Sequence, residues 1–400
     1  MSGQVVVTGG GIAGLSASLA LGRAGGEVRL FEQAAAFSEV GAGIQLGPNV
    51  TRLLHSWGLH KALADVAAFP ETLCVRSVTT GQTLAELPLG TAMQARYGAP
   101  YATVHRADLH ALLLRAVQQQ GHTRMHVNRP LLAFSQTPEA VTVQTPDYPD
   151  IEADALIGAD GLWSTVRPLL LADAPPVATG HLAYRALVSQ SDLPEALRSQ
   201  NVTVWLGPRL HIVQYPVRSG EQLNTVAVVH GQMPEGADPW DNAANRDATA
   251  AELSAALTGS CAPLMAQIAA VSLWRRWALF DRPPMQGAHQ HAAGRVALLG
   301  DAAHPMRPYL AQGAGMAIED AAALGQAWAA VATAADVTTA LQRFAHARWQ
   351  RNARVQARAV RNGEIFHATG ALRWGRDAAM KLLGQRLLDM PWLYGVPDRH

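Results

Sequence analysis

The run Gly9-x-Gly11-x-x-Gly14 follows an apolar strand-like stretch, Val5-Val6-Val7, and opens a stretch rich in alanine and leucine. Strand, glycine turn and helix in that order are what a dinucleotide pyrophosphate site requires. Gly9 permits the tight turn, Gly11 removes the Cβ that would hold backbone N–H groups away from phosphate oxygens, and Gly14 lets the helix approach the strand. The positive end of the helix dipole then faces the anion. A second strand, Val28-Arg29-Leu30-Phe31, ends in Glu32, 18 residues past Gly14. There a carboxylate can accept hydrogen bonds from a ribose hydroxyl, which favours an adenosine ribose without a 2′-phosphate.

A distal run decides which dinucleotide is expected. Val296-Ala297-Leu298-Leu299 reads as a buried parallel strand, and Gly300-Asp301 stands at its carboxyl end, where open α/β sheets bind ligands. A nicotinamide dehydrogenase needs no such second site. A flavin dinucleotide does, because its ribityl chain must be fixed, and Asp301 can accept its hydroxyl hydrogen bonds. The sequence therefore points to FAD.

In these residues the chain resembles the single-component FAD-dependent aromatic hydroxylases, the group of salicylate hydroxylase, 3-hydroxybenzoate 6-hydroxylase and 6-hydroxynicotinate 3-monooxygenase. Four blocks match in order: the Gly9 fingerprint with Glu32, His105-Arg106-Ala107-Asp108-Leu109, Gly158-Ala159-Asp160-Gly161-Leu162-Trp163-Ser164, and Gly300 through Asp320 with Gln312-Gly313. Gly41-Ala42-Gly43-Ile44-Gln45-Leu46-Gly47-Pro48-Asn49 and the terminal Trp392-Leu393-Tyr394-Gly395 are similar as well. The resemblance implies that Arg106 contacts FAD, that Asp160 supports FAD and the nicotinamide donor, and that Asp301 takes the ribityl chain. Read without it, Arg106 pairs Asp108 or caps a helix, and Asp160 caps the helix that follows. Gln312-Gly313-Ala314-Gly315 opens a helix whose N–H groups at Gly313 and Ala314 would face the flavin and favour its anionic reduced form. His304, before a proline, reads as structural.

The resemblance also implies the fold and the reaction. The fold class is α/β: a discontinuous Rossmann-like FAD-binding domain, an inserted, mostly antiparallel β-sheet substrate domain, and C-terminal helices. We expect residues 1–72, 100–175 and 284–400 in the first domain and 73–99 and 176–283 in the second. The β-branched, alternating segments Leu73–Glu86, His181–Val188, Val202–Leu206, His211–Pro216 and Asn224–Val229 would form the inserted sheet. No second nucleotide fingerprint is present, consistent with NADH or NADPH acting as a transient reductant. O2 would be the co-substrate, acting through a C4a-hydroperoxyflavin on a small phenolic aromatic acid.

An electrophilic oxygen needs an electron-rich ring, so the pocket should hold a base or acceptor for the phenol. His211 and Tyr215 lie four apart on one strand and share a face. His211 titrates in the right range for a phenolic proton, and Tyr215 can hold a hydroxyl or carboxylate. The alternative is that both only pack. Tyr184, Arg185, Pro308 and Tyr309 are expected to line the same pocket. Pro308 departs from the 3-hydroxybenzoate 6-hydroxylases, where glutamine is common, and Tyr309 departs from the hydroxynicotinate enzymes, which carry histidine.

Composition excludes other classes. Lys+Arg 32 against Asp+Glu 31 leaves no electrostatic basis for binding nucleic acid, and 49% hydrophobic residues supply a large core. Two cysteines, Cys74 and Cys261, suit a reducing cytoplasm, and no signal peptide or membrane span is expected. His289-x-His291 is the nearest approach to metal-ligand spacing but lacks a third partner, so no metal is expected. Arg351, Arg354, Arg358 and Arg361 make one helical face, read as solvated or as a subunit contact in a homodimer. Two other readings stay open at this level: a flavin dehydrogenase or oxidase without oxygen insertion, and a non-catalytic flavin redox sensor.

Overall fold

The computed structural model describes residues 3–38, 42–232 and 246–395, the side chains of 246–248 excepted. Gly41 of the glycine-rich block therefore lies outside the described residues. The chain divides into two compact units. Met1–Val40, Ala107–Val177 and Asp281–Val360 form the first, and Gly41–Arg106, Ala178–Phe280 and Arg361–His400 form the second.

The first unit is built on a six-stranded sheet in the order Ala292–Ala293, Val296–Leu298, Ala155–Gly158, Gln4–Thr8, Glu27–Phe31, Thr123–His126. All its pairings are parallel except that of the two-residue edge strand. Val5, Val6, Val7, Leu156, Ile157 and Leu298 have no accessible surface, as expected of parallel strands buried on both faces. A three-stranded antiparallel sheet, Ala133–Gln136, Val141–Gln144 and Ile151–Ala153, packs Val141, Val143 and Ala153 against Val6, Phe31 and Leu156. The fingerprint helix Ile12–Arg23 packs on the helix Gly313–Trp328. A Cβ on Gly325 would stand 2.9 Å from the Ala20 carbonyl, so only glycine allows this spacing.

Between Gly313–Trp328 and the long helix Val337–Phe366 lies a buried ionic network. Arg348 donates from Nε to Asp320 Oδ1 at 2.7 Å and from Nη1 to Glu319 Oε2 at 2.8 Å. Arg351 makes a two-point contact with Glu319 at 2.6 and 2.8 Å, so it is turned inward and not part of a solvated basic face. Asp320 also pairs with His304 and accepts from Asn352 Nδ2 and from the Gly300 N–H. His304 is thus structural. Its imidazole and Arg348 outweigh desolvation and hold the Asp320 carboxyl far below the ordinary carboxylate range.

The second unit carries a seven-stranded sheet in the order Arg275–Asp281, Val177–Ser189, Gln222–His230, Leu210–Val217, Val202–Gly207, Thr72–Ser77, Thr83–Pro88. Val177–Ser189 with Gln222–His230, Gln222–His230 with Leu210–Val217, Leu210–Val217 with Val202–Gly207, and Thr72–Ser77 with Thr83–Pro88 are antiparallel, and Val202–Gly207 with Thr72–Ser77 is parallel. One face buries Leu182, Tyr184, Trp205, Ile212, Ala227 and Val229 under Leu253, Leu257, Leu264 and Ile268 of a helical layer.

The compact units divide the chain differently from the expected boundaries at 42–72, at 100–106 and from 361 onward. Residues 42–72 group with the second unit because Gly43–Leu46 and Ala67–Ala68 pair with Ala102–His105. The C-terminal segment does so too: Arg52 donates to the carbonyls of Tyr394 and Gly395, and the Tyr394 ring fills the space a Cβ on Gly47 would need. The two similar blocks at Gly47 and Tyr394 are thus one structural contact.

Arg348→Met should cost about 3–5 kcal/mol in urea unfolding, because it removes a buried cation shared by Asp320 and Glu319, which then keep only His304 and Arg351 as ion-pair partners. Since the folded Asp320 is depressed, the stability it contributes is present above the unfolded carboxylate range and is lost as pH falls toward the folded value. The deficit of Arg348→Met should accordingly shrink in acid.

Candidate active site

Four of the sequence-singled segments meet at the carboxyl edge of the parallel sheet. Gln4–Thr8 ends in Gly9, Glu27–Phe31 in Glu32, Ala155–Gly158 in Ala159-Asp160, and Val296–Leu298 is followed closely by Gly300-Asp301. Gly9 has φ +96°, and a Cβ there would lie 2.3 Å from the Ala159 carbonyl oxygen. A Cβ on Gly14 would lie 1.8 Å from the Gly9 carbonyl oxygen. Gly11 is the N-cap of Ile12–Arg23, without a side-chain cap and without an acidic residue in the first turn. The helix start is thereby left electropositive.

The turn itself is pinned from both sides. Glu32 accepts from the Gly10 N–H and the Ala34 N–H, each at 2.7 Å, and His110 Nε2 meets the Gly10 carbonyl at 2.7 Å. Asp160 Oδ2 accepts from the N–H groups of Thr165 and Val166, which is the helix-capping role. Its Oδ1, however, is buried without a partner among the described residues, and burial pushes the carboxyl up. Asp301 is exposed, and Gly313 and Ala314 are partly exposed at the first turn of Gly313–Trp328, with Asp301 Oδ1 3.9 Å from where a Gly313 Cβ would be. Arg106 begins the helix Arg106–Gln120, its N–H bonded to the Ala42 carbonyl. A side-chain-free cradle, an open helix start and an unpartnered buried carboxylate oxygen fit a dinucleotide with hydroxyls to donate.

In the second unit, register assigns faces. Opposite the helix-packed face of the seven-stranded sheet, side chains fall into rows: His181 with His230; Ala183, Val228 and His211; Arg185, Val226 and Val213; Leu187, Asn224 and Tyr215. His211, Val228, Asn224 and Tyr215 are buried, while all three members of the Arg185–Val226–Val213 row are partly accessible. His211 and Tyr215, about 13 Å apart along the strand, thus bracket an accessible strip with an aliphatic floor and one guanidinium.

Each polar member of this face has a distinct environment. Arg185 lies over the Trp277 ring, 4.4 Å from its centroid, and its Nε is buried without an acceptor among the described residues. Burial, with Arg106 as a second cation, lowers its guanidinium to about 10 even though Tyr215 opposes the shift. Asn224 Oδ1 accepts from the Gly43 N–H at 2.8 Å, and its Nδ2 has no partner among the described residues. The Tyr215 ring lies against Gly43, where a Cβ would approach it to 2.4 Å, and burial pushes its hydroxyl well up. His211 Nδ1 is 2.8 Å from His367 Nε2, and burial, with His181, lowers the imidazole to about 3.

Tyr184 must be corrected. It points to the opposite face, inside the core under the helices, with its hydroxyl donating to Glu252 at 3.0 Å. Adjacent strand residues face opposite ways, so Tyr184 and Arg185 cannot both line one pocket. Pro308 and Tyr309 begin a short 3-10 turn in the first unit, with Pro308 partly exposed and Tyr309 buried. Asn224, His110 and His367 were missed. Asn224 had a signal in its period-two spacing from Val226 and Val228. His110 and His367 had none, because their partners are remote in sequence.

A sequence-family profile described as "FAD binding domain" matches residues 2–359. The chain is 38% identical over 393 residues, 98% of its own length and 95% of the other's, to 3-hydroxybenzoate 6-hydroxylase of Polaromonas naphthalenivorans. It is also 38% identical to the 3-amino-4-hydroxybenzoate 2-monooxygenase PtnB3 of Streptomyces platensis, over 98% of this chain and 96% of that one. Among solved structures, HpxO of Klebsiella pneumoniae complexed with FAD and uric acid superposes with TM-score 0.83 at 25% identity, covering 96% of this chain and 94% of that one.

Between pH 6.5 and about 3 the unfolded chain takes up a proton that folded His211 refuses, so stability should fall as pH drops through this window. From pH 6.5 to 5.5 the loss is about 1 kcal/mol per such histidine. His211→Asn should remove that share of the slope, read from urea unfolding at the two pH values.

Proposed function

This chain belongs to the single-component FAD-dependent aromatic hydroxylases, and we propose that it hydroxylates a small phenolic aromatic acid of the hydroxybenzoate type, held on the polar sheet face around Arg185. NAD(P)H and O2 are the other reactants of this monooxygenase chemistry. One observation carries the substrate class: Arg185 Nε and Asn224 Nδ2 are buried donors without acceptors among the described residues, on one face with Tyr215. A buried cation with an unpaired N–H is costly, and an anionic oxygen ligand is the economical remedy. The aliphatic strip of Val213, Val226 and Val228 suits the flat ring of such an acid.

On this reading the carboxylate meets Arg185, Asn224 and Tyr215 fix oxygen atoms, and His211 faces the phenolic hydroxyl. His211 is neutral across physiological pH, which is the state that accepts a proton. Alone it is a weak base, because burial disfavours the imidazolium. A carboxylate bound on the same face supplies the negative charge that raises its basicity. Proton removal is thus tied to binding of the correct acid, and a phenol without the carboxylate is activated poorly even when it enters.

We assign Gly9, Gly11, Gly14 and Glu32 to the adenosine and pyrophosphate half of FAD, Asp301 and Asp160 to hydroxyl and ring-side hydrogen bonds, and Arg106, Gly313 and Ala314 to the flavin end. When bound, the flavin supplies the reducing equivalents and the activated oxygen. A cytoplasmic setting, where a nicotinamide donor is at hand, agrees with two free cysteines; among the described residues no helix is long and apolar enough to cross a membrane.

A panel of 3-hydroxybenzoate, salicylate, 4-hydroxybenzoate, 6-hydroxynicotinate and phenol, scored by NADH consumption and product mass, tests the reading. At least one acid should gain one oxygen, and phenol should give mainly peroxide. In Arg185→Met the kcat/KM for that acid should fall about 30- to 150-fold, the roughly 2–3 kcal/mol of a charge-assisted hydrogen bond, with FAD content unchanged. Peroxide as the sole product from every acid would refute it.

A further inference from the structure

We propose that His181, His230 and His367 form a binding site for one divalent transition metal of the zinc class, distinct from the flavin-binding segments. The three residues are 49 and 137 positions apart, and only the fold brings them together. His181 and His230 are directly opposed in neighbouring antiparallel strands, with ring centroids 4.4 Å apart. His367 follows the last turn of the helix Val337–Phe366, and its rings lie 5.0 and 5.1 Å from theirs. One ring nitrogen from each lies within 4.8 Å of the others, and His230 Nε2 to His367 Nδ1 is 3.1 Å. That last separation is close to the nitrogen–nitrogen spacing implied by two imidazoles bound at about 2.0–2.1 Å to a tetrahedral zinc.

Two further features make this a built site. The other ring nitrogen of His367, Nε2, is engaged by His211 Nδ1 at 2.8 Å, which fixes the ring and aims Nδ1 into the cluster. Metal-bound histidines are oriented in this way by a hydrogen bond on the far nitrogen. The backbone is clamped as well: the His367 carbonyl accepts from the Arg209 N–H, and Arg376 donates to the carbonyls of Ile365 and Phe366 just before it.

The charge environment permits a cation. Burial lowers His230 and takes His367 to about 2, so both present the neutral imidazole that ligates. Arg209 is exposed and solvent-screened, and Arg376 is paired with Asp377. Three imidazoles without thiolate select Zn2+, Cu2+ or Ni2+ over Mg2+ or Ca2+. His181 and His367 are buried while His230 is exposed, so a fourth position is left for water on the solvent side.

The test uses the full-length flavin-loaded protein after EDTA treatment and desalting. Zn2+ is titrated in competition with a chromophoric chelator, and Cu2+ is followed by electron paramagnetic resonance. The expected result is one Zn2+ per chain, bound below micromolar, with a Cu2+ signal split by three nitrogens. His181→Asn and His230→Asn should each weaken Zn2+ binding about 100-fold or more, while His289→Asn, on the exposed surface, should not. His230 is exposed, so its replacement leaves the fold intact, as the far-UV circular dichroism will report. Failure to bind one Zn2+ tightly, or affinity unaltered in both His181→Asn and His230→Asn, would overturn the proposal. Hydroxylation is scored separately by product mass on the EDTA-treated protein, so failure of metal binding is distinguishable from failure of the proposed function.

Discussion

A slip of one residue in the pairing of Val177–Ser189 with Gln222–His230 would turn every side chain of Val177–Ser189 to the other face of the seven-stranded sheet. Arg185 would enter the apolar layer under Leu253 and Leu264, and Tyr184 would take its place on the polar face. The cost of burying a guanidinium among aliphatic side chains, added to that of turning Leu182 out of the core, holds the register. The polar face proposed to meet the substrate therefore follows from core packing: the helical layer takes large apolar residues at every second position, and the intervening positions are released for His211, Arg185, Asn224 and Tyr215.

The first unit solves a different problem. Its parallel strands end together, so the loops that follow them crowd into one place, and glycine is needed wherever two backbones approach. Gly9 against Ala159 and Gly14 against Gly9 are such points. The turn at Gly300, with φ +61°, follows another of these strands, and its buried N–H needs an acceptor. Asp320 answers this by reaching back to the Gly300 N–H and His304 while Arg348 neutralises it and Asn352 donates a further hydrogen bond. The exposed Asp301 is thus carried on a turn fixed by a buried carboxylate.

Local chemistry was legible in the sequence and facing was not. The glycine fingerprint, Glu32 and Gly300-Asp301 could be read because a strand end, a tight turn and an acid are defined by neighbours in the chain. Tyr184 was misassigned because alternation gives two faces without saying which one the helices cover; that depends on Leu253, Leu257, Leu264 and Ile268, some 70 residues away. Arg351 read as surface because helical periodicity groups arginines without revealing that Glu319 waits opposite one of them. The histidine cluster was invisible for the same reason, since a search for ligand spacing found only His289-x-His291. The Trp392–Gly395 block is legible as a match, but its purpose depends on Tyr394 resting on Gly47, a residue remote from it in the chain.

The most direct measurement is a single-turnover reaction with 3-hydroxybenzoate, NADH and O2 labelled with oxygen-18, analysed by product mass for the native protein and for Arg185→Met. The account predicts a ring-hydroxylated product carrying one labelled oxygen from the native protein, and mainly labelled peroxide from the variant at the same substrate concentration. An unlabelled product, or equal coupling in both proteins, would contradict it.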